Sequence, residues 1–256
     1  MKYIFFDIDH TLVSHKNKSH IPDQTLLALK LLREAGHVTA IATGRAYFLT
    51  RLLADELKIN TLVCAGGAEI ILNGQKIFKS YLPANAIEKF NEAAEKFPDI
   101  VLATDGEYFY TSGAFNDARE YFKSQAGYEC FKPLKKISSA LICYMILPPE
   151  QVDDKHGMFK NPPEGVRLEL MHGFVEARNE NTSKWLGIKT LIEKLHADIN
   201  DVITFGDGAN DIEMIARAKI GVAVGKSKAV HEVADYIADD IDDGGILKAC
   251  KDLGLI

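Results

Sequence analysis

Four cysteines (Cys64, Cys130, Cys143, Cys250) are scattered through 256 residues with no C-x-x-C among them. That spacing supplies no zinc ligand set, no redox motif and no disulfide framework, and it leaves reduced thiols packed in a core as the expectation. No Lys/Arg run resembles a nucleic-acid footprint and the formal net charge is −6, which argues against DNA or RNA as the main partner. No apolar run approaches the length that crosses a bilayer. Asp7 and Asp9 follow Met1-Lys2 so closely that no signal-peptide apolar region can form. There is no internal repeat and no low-complexity tract. These absences imply a soluble, cytoplasmic protein without a membrane partner. What remains is ordinary globular composition, 47% hydrophobic and 26% charged, enough for one large domain or two.

The stretch "YIFFDIDHTLV" (Tyr3 to Val13) closes a short greasy run with two aspartates two residues apart. Tyr3 to Phe6 reads as a buried strand, and a carboxylate at its end must be solvated, paired or metal-bound, because burying it bare is very costly. Strand then alternates with helix. Pro22 starts a helix that Gly36 ends, "HVTAIATGR" is a second buried strand, "AYFLTRLLADEL" is helical, and "TLVCAGGAEIIL" is a third strand with a Gly66-Gly67 turn. The rhythm returns late in the chain. A helix over 183–195 precedes the strand "DVITFGDG", the helix "NDIEMIARA", the strand "IGVAVG", a helix around Val230, "YIA" and a last helix near Leu247. Such alternation predicts an α/β protein with a doubly wound parallel sheet, Rossmann-like.

Between about Tyr81 and Arg178 the pattern changes to α+β. "IVLATDGEYFYTS" predicts an Asp-Gly hairpin, "VRLELMHGFVEAR" a second hairpin turning at His172-Gly173, and "SSALICYMIL" a strand. Helices are expected over 87–97 and 115–123, and the proline-bearing stretch 148–165 as loop. The division that follows is a core of residues 1–82 and 178–256, with an α+β domain of residues 83–177 inserted on two linkers.

Ligands of open α/β sheets bind beyond the carboxyl ends of the strands. Asp7, Asp9 and Thr11 sit at the end of the first strand, Thr43, Gly44 and Arg45 after the second, and Asp207, Asn210 and Asp211 after the late one; Lys184 begins a helix that feeds the same sheet. Carboxylates gathered at one edge repel unless a hard divalent cation neutralises them, and Mg²⁺ suits carboxylate and water ligands. A hydroxyl (Thr43), turn amides at Gly44 and an ammonium (Lys184) suit phosphoryl oxygens. One aspartate can attack phosphorus, and the other, on the same side of the strand by period two, can hand a proton to the leaving oxygen. Singly, D-x-D-x-T is weak, T-G-R is a turn and Lys184 is a surface lysine; the four in order at strand ends and helix starts form a site.

The set "DIDHT", "ATGR", "TSK" and "GDGAND" resembles the haloacid dehalogenase-like superfamily, and its arrangement the Cof-type sugar-phosphatase branch. The resemblance covers the core, and the insertion falls where that branch carries its cap. It implies Mg²⁺-dependent hydrolysis of phosphomonoesters through a phosphoaspartate. Asp7 would be nucleophile and metal ligand, and Asp9 acid/base with its carbonyl on the metal. Thr43 and Lys184 would grip the phosphoryl group, with Thr11, Gly44, Arg45 and Asn210 around it. Asp207 and Asp211 would complete the metal site. Three positions depart from the family: His10 where Gly is usual, expected to face outward; Gly66-Gly67 in place of Asn-Gly, expected to cost a polar contact; and Val224-Gly225-Lys226 in place of Met-Gly-Asn.

"GVAVGKS" (Gly221 to Ser227) imitates a P-loop but has three residues between its glycines where four are required. A phosphomutase uses the same nucleophile and stays an alternative to a phosphatase. A phosphoaspartate receiver module would carry its aspartate on a mid-chain strand with no insertion, unlike Asp7. A monomer or weak homodimer is expected, with discrimination among sugar phosphates placed in the insertion, on Glu169, His172, Glu176 and Arg178.

Overall fold

Ile4, Phe5 and Phe6 are all fully buried, because the strand they form is covered on both faces. Period two sends Ile4 and Phe6 into one apolar layer and Phe5 into the other. The computed structural model describes residues 1–14, 16, 20–96, 101–111, 116–134, 136–146, 162–171 and 174–256. In chain order the elements are β1 (Tyr3–Phe6), α1 (Asp23–Glu34), β2 (Val38–Ala42), α2 (Tyr47–Leu57), β3 (Leu62–Cys64), β4 (Glu69–Leu72), β5 (Gln75–Lys79), α3 (Ala84–Lys96), β6 (Val101–Thr104), β7 (Phe109–Thr111), α4 (Asn116–Ala126) and β8 (Phe131–Pro133). There follow β9 (Ile142–Ile146), β10 (Val166–Met171), β11 (Phe174–Asn179), α5 (Lys184–Lys194), β12 (Val202–Gly206), α6 (Ile212–Arg217), β13 (Ile220–Val224), α7 (Lys228–His231), β14 (Tyr236–Ala238) and α8 (Gly245–Asp252).

Eight strands form one sheet in the order β14-β13-β12-β1-β2-β3-β4-β5. The pairs from β14 to β3 are parallel, with Phe6 of β1 opposite Phe205 of β12 and their rings stacked 4.8 Å apart. One layer draws on α1 and α8 (Leu29, Leu32, Ile246, Ala249) and the other on α5 and α6 (Ile188, Leu191, Met214, Ile215). The expected doubly wound sheet is therefore present, bounded as read: Pro22 immediately precedes α1, and Gly36 follows it at φ 82°. The third expected strand differs. A 3₁₀ turn at Ala65–Gly67 breaks it into β3 and β4, and β4 and β5 extend the sheet antiparallel. The turn folds back because Gly66 and Gly67 take φ of 59° and 96°, which only glycine adopts freely.

The second sheet has six strands in the order β10-β11-β9-β6-β7-β8, antiparallel except for the β7–β8 pair. Both expected hairpins form. β6 and β7 join through Asp105-Gly106, where the Asp105 carboxylate accepts from the amides of Glu107 and Tyr108 at 2.8 and 3.0 Å. β10 pairs with β11, although the His172-Gly173 turn and most of the 148–165 loop lie outside the described residues. One face of this sheet packs on α3 through Val101, Ala103, Cys143, Met145 and Phe90. The other turns toward the first sheet, where Ala46, Phe48 and Leu49 of the α2 segment meet Leu102, Phe109 and Phe131. The chain crosses between the sheets at two adjacent points, with Asn179 Nδ2 donating to the Tyr81 carbonyl at 3.0 Å. Among the described residues no helix is long and apolar enough to cross a membrane. All four cysteines are free and buried.

Candidate active site

The parallel ladder carries its neighbouring strand ends to one edge. Asp7 leaves β1 with its amide donating to Phe205 O at 3.0 Å, and Thr43 leaves β2 with its amide donating to Val63 O at 2.8 Å. Asp207 follows β12 directly, and a 3₁₀ turn at Ala209–Asp211 swings the next carboxylate back. Asp211 is wholly buried and accepts from the amides of Asp207 and Gly208 at 3.1 and 3.0 Å. α5 starts just beneath, its first turn capped by the Ser183 hydroxyl, which accepts from Leu186 N at 3.1 Å. Lys184, the first residue of that helix, is 2% exposed and sends its Nζ to Asp7 Oδ1 at 2.6 Å and to Asp211 Oδ1 at 2.5 Å.

One carboxylate oxygen each from Asp7, Asp207 and Asp211 lies within 4.8 Å of the others. Burial, reinforced by the Asp211 charge, pushes Asp7 up to about 8, against the pull of Lys184. Burial alone would lower Lys184, but Asp7 and Asp211 outweigh it and hold the ammonium well above its ordinary range. A single lysine ammonium among three crowded carboxylates leaves negative charge to spare. The oxygen-only donor set and that excess fit a hard divalent cation. Thr11 Oγ1 donates to Asp207 Oδ1 at 3.0 Å and fixes that carboxylate's orientation.

Asp9 stands apart from the three acids. Its carboxylate, half exposed, is held by the Arg45 guanidinium, Nε to Oδ2 at 3.0 Å and Nη2 to Oδ1. Arg45 Nη1 also donates to Gln125 Oε1 of α4 at 3.0 Å, and so reaches the second sheet's unit. Thr43 is buried, and its hydroxyl accepts from the Arg45 amide at 3.1 Å, which shapes the turn at Gly44. Asp7, Asp9, Thr43, Gly44, Arg45, Asp207 and Asn210 all line a cavity of about 840 Å³, within the size range of small-molecule sites. Glu169, Glu176 and Arg178 line its far side; His172 lies outside the described residues.

Two expectations change. His10 does not simply face outward: it lines the cavity, with its backbone at φ 65°. The turn after Asp9 demands that left-handed geometry, which explains the family's glycine there and costs a histidine about 1–2 kcal/mol. At Gly66 the issue is occupancy more than a lost polar contact. A Cβ there would sit 2.0 Å from Arg178 Nη1, so the guanidinium fills the space a side chain would need. Reading the sequence missed Gln125 and the buried Glu69, as well as the aromatic lining of the cavity. Nothing in their local sequence marks them: Gln125 and the aromatics gain their roles where the second sheet meets the first, and Glu69 where β4 meets β5 and α2.

A family model described as haloacid dehalogenase-like hydrolase matches residues 4–250. "Putative phosphatase YkrA" of Bacillus subtilis (strain 168) is 31% identical over 265 residues, covering 100% of this chain and 98% of that one. A solved structure of a protein from Geobacillus kaustophilus HTA426 superposes with a TM-score of 0.85 at 29% identity, covering 100% of this chain and 99% of the other. The structure of the subclass IIB sugar phosphatase BT4131 does so at 0.81 and 26%, covering 100% of both. Fold and family together thus define a Rossmann-like hydrolase whose acidic triad could hold a divalent cation. The chain belongs to the haloacid dehalogenase-like hydrolases, as its four motifs implied.

Proposed function

We propose that the chain is a Mg²⁺-dependent phosphatase that hydrolyses small phosphomonoesters, sugar phosphates among them, through a phosphoaspartate on Asp7. The observation that carries this reading is the buried Lys184 ammonium between Asp7 and Asp211 with Asp207 beside them, Asp7 and Asp207 lining a cavity sized for a small molecule. Asp7, Asp207 and Asp211, with the Asp9 carbonyl, would hold Mg²⁺, which supplies neutralising charge to the carboxylates and phosphoryl oxygens. An Asp7 oxygen attacks phosphorus, a bond to phosphorus forms, and the bond to the alcohol oxygen breaks. Asp9 protonates that oxygen and then takes a proton from the water that attacks the phosphoaspartate, which returns Asp7 and frees phosphate. Lys184 and Thr43 hold the equatorial oxygens throughout. Asp9 is paired with Arg45 in this structure, so its proton work requires that it leave the guanidinium.

The resemblance to BT4131 and YkrA supports the same reading, as does the inserted unit, residues 83–177, acting as a cap over residues 1–82 and 178–256. The test is phosphate release from a phosphomonoester panel with Mg²⁺ and after chelation, using the wild type and Asp7→Asn. Wild-type release should need Mg²⁺ and should fall by several orders of magnitude in Asp7→Asn. Release that survives exhaustive chelation or a pure Asp7→Asn preparation overturns the proposal. An isomerised hexose phosphate in place of free phosphate would establish a mutase instead.

A further inference from the structure

Residues in register across a sheet share a face, and every second residue along a strand returns to it. In the second sheet one such row runs Arg167, Arg178, Ile142, Thr104, Phe109, and the next runs Glu169, Glu176, Tyr144, Leu102, Thr111. Phe174 begins the third, opposite Ile146. The opposite face is ordinary core under α3. The face with these rows looks onto the cavity and is divided. In its first two rows β10 and β11 supply charged side chains, while Phe174 of β11 and the residues of β9, β6 and β7 make the face largely apolar elsewhere.

On the apolar side the cavity is walled by Leu102, Phe109, Tyr144 and Phe174, with Phe122 of α4 and Leu49 of α2. Phe109 and Phe122 lie with ring centroids 5.0 Å apart, and Tyr144 and Phe174 meet edge-on at 5.8 Å. Phe122, Tyr144 and Phe174 are only partly buried and line the cavity, with Phe122 and Tyr144 also packed against the apolar cluster of Leu49, Leu102 and Phe109. On the charged side Arg178 Nη2 donates to Glu169 and, at 2.7 Å, to Glu176, while Arg167 Nε pairs with Glu169 at 3.2 Å. Two guanidiniums against two carboxylates leave no spare positive charge for a second phosphate or a carboxylate on the substrate. The carboxylates still have lone pairs to accept N–H or O–H donors.

A hexose carries hydroxyls around its whole rim, and those turned toward these five or six apolar side chains lose their water without replacing it. A flat ring gains from the same wall, stacking on aromatic faces and burying its own. We propose that this phosphatase site prefers phosphomonoesters whose alcohol half carries a planar aromatic or heteroaromatic ring with a hydrogen-bond donor, the ring against Phe122, Tyr144 and Phe174 and the donor toward Glu169 and Glu176. The inference rests on the phosphatase reading above and narrows its substrate class.

The test compares kcat/KM of the Mg²⁺-loaded enzyme for pyridoxal 5′-phosphate and a nucleoside 5′-monophosphate with that for glucose 6-phosphate and glycerol 3-phosphate. The better ring-bearing ester should exceed the better ring-free one by at least about tenfold, in line with the burial of one ring face. Phe174→Ala, and Phe122→Ala should the first not fold, should reduce that ratio about fivefold or more. A ratio at or below one, or a ratio that neither variant moves, overturns the inference. If no ester releases phosphate, the phosphatase reading fails separately, and equilibrium binding of the same esters to the Mg²⁺-loaded protein decides this one. Tighter binding of the ring-bearing esters, weakened in Phe174→Ala, upholds it, and equal binding refutes it.

Discussion

Glu69 has no exposed surface, yet it is a carboxylate. It sits at the start of β4, accepts from the Tyr47 amide at the head of α2 at 3.1 Å, and faces Lys76 Nζ at 3.2 Å and Lys79 Nζ at 3.9 Å. Lys76 also bonds Glu107 and the Gly106 carbonyl of the β6–β7 hairpin, so this cluster ties the two sheets together. Burial raises the Glu69 pKa by more than Lys76 and the Tyr47 amide lower it. A folded pKa above the unfolded one means that the folded state holds the proton more tightly. The resulting stability is complete below the ordinary carboxylate range and is lost as pH rises through the folded pKa. Glu69→Gln cannot titrate. The wild-type Tm minus the Glu69→Gln Tm, both metal-free, should therefore fall by a few degrees between pH 4 and pH 7. A difference that stays flat or grows over that interval would mean that pairing with Lys76 outweighs burial.

At the scale of elements, α4 is the helix that reaches back to the acid edge. Gln125 in its last turn accepts from Arg45, whose other edge holds Asp9. The helix and the turn that carries Asp9 are thus linked through one guanidinium, and hydrogen bonds to charged groups are worth about 1.5–3 kcal/mol. Gln125→Ala should lower kcat/KM for phosphomonoesters by about threefold to thirtyfold in an otherwise wild-type chain and by much less in an Arg45→Ala background. A double-mutant cycle in kcat/KM reads that coupling, and strictly additive losses would show that α4 acts independently of Arg45. Arg45, Asp9 and Lys184 were legible in the sequence because each adjoins a strand end or a helix start, whose positions follow from local periodicity and capping. Gln125 was not, since it lies mid-pattern on an ordinary amphipathic helix. The same holds for Phe122, Tyr144 and Phe174: an aromatic at strand or helix spacing reads as core until the facing layer is known. The two-faced character of the second sheet depends on the register of six strands, two of whose five pairings join strands that are not consecutive in the chain, which no local signal carries.

At the scale of the whole molecule, the proposed function places chemistry and choice of substrate on different sheets. Asp7, Thr43, Lys184 and Asp207 all belong to strand ends and one helix start of the eight-stranded sheet, and in the proposed mechanism they grip only what phosphomonoesters share. The wall facing them comes almost entirely from the six-stranded sheet and α4, with Ala46 and Leu49 the core's apolar share. The crossings between the two lie side by side at Tyr81 and Asn179. Exchanging residues 83–177 for the matching segment of a relative should therefore leave the acid edge undisturbed. Such a chimera should keep Mg²⁺-dependent hydrolysis of a small aryl phosphate, which checks that it folds and that its core works. Its kcat/KM ranking over a panel of phosphomonoesters should become the donor's, with the parent's first-ranked ester displaced by about tenfold or more, the scale on which loss of a few pocket contacts acts. The charged half makes the same point from the core side, because Arg178 at the second crossing packs where a Gly66 side chain would be. A chimera that folds, hydrolyses the aryl phosphate and retains the parent's ranking would place specificity in core loops such as 64–69 and in Arg178 itself, and would leave the six-stranded sheet as a cover that excludes water without reading the alcohol.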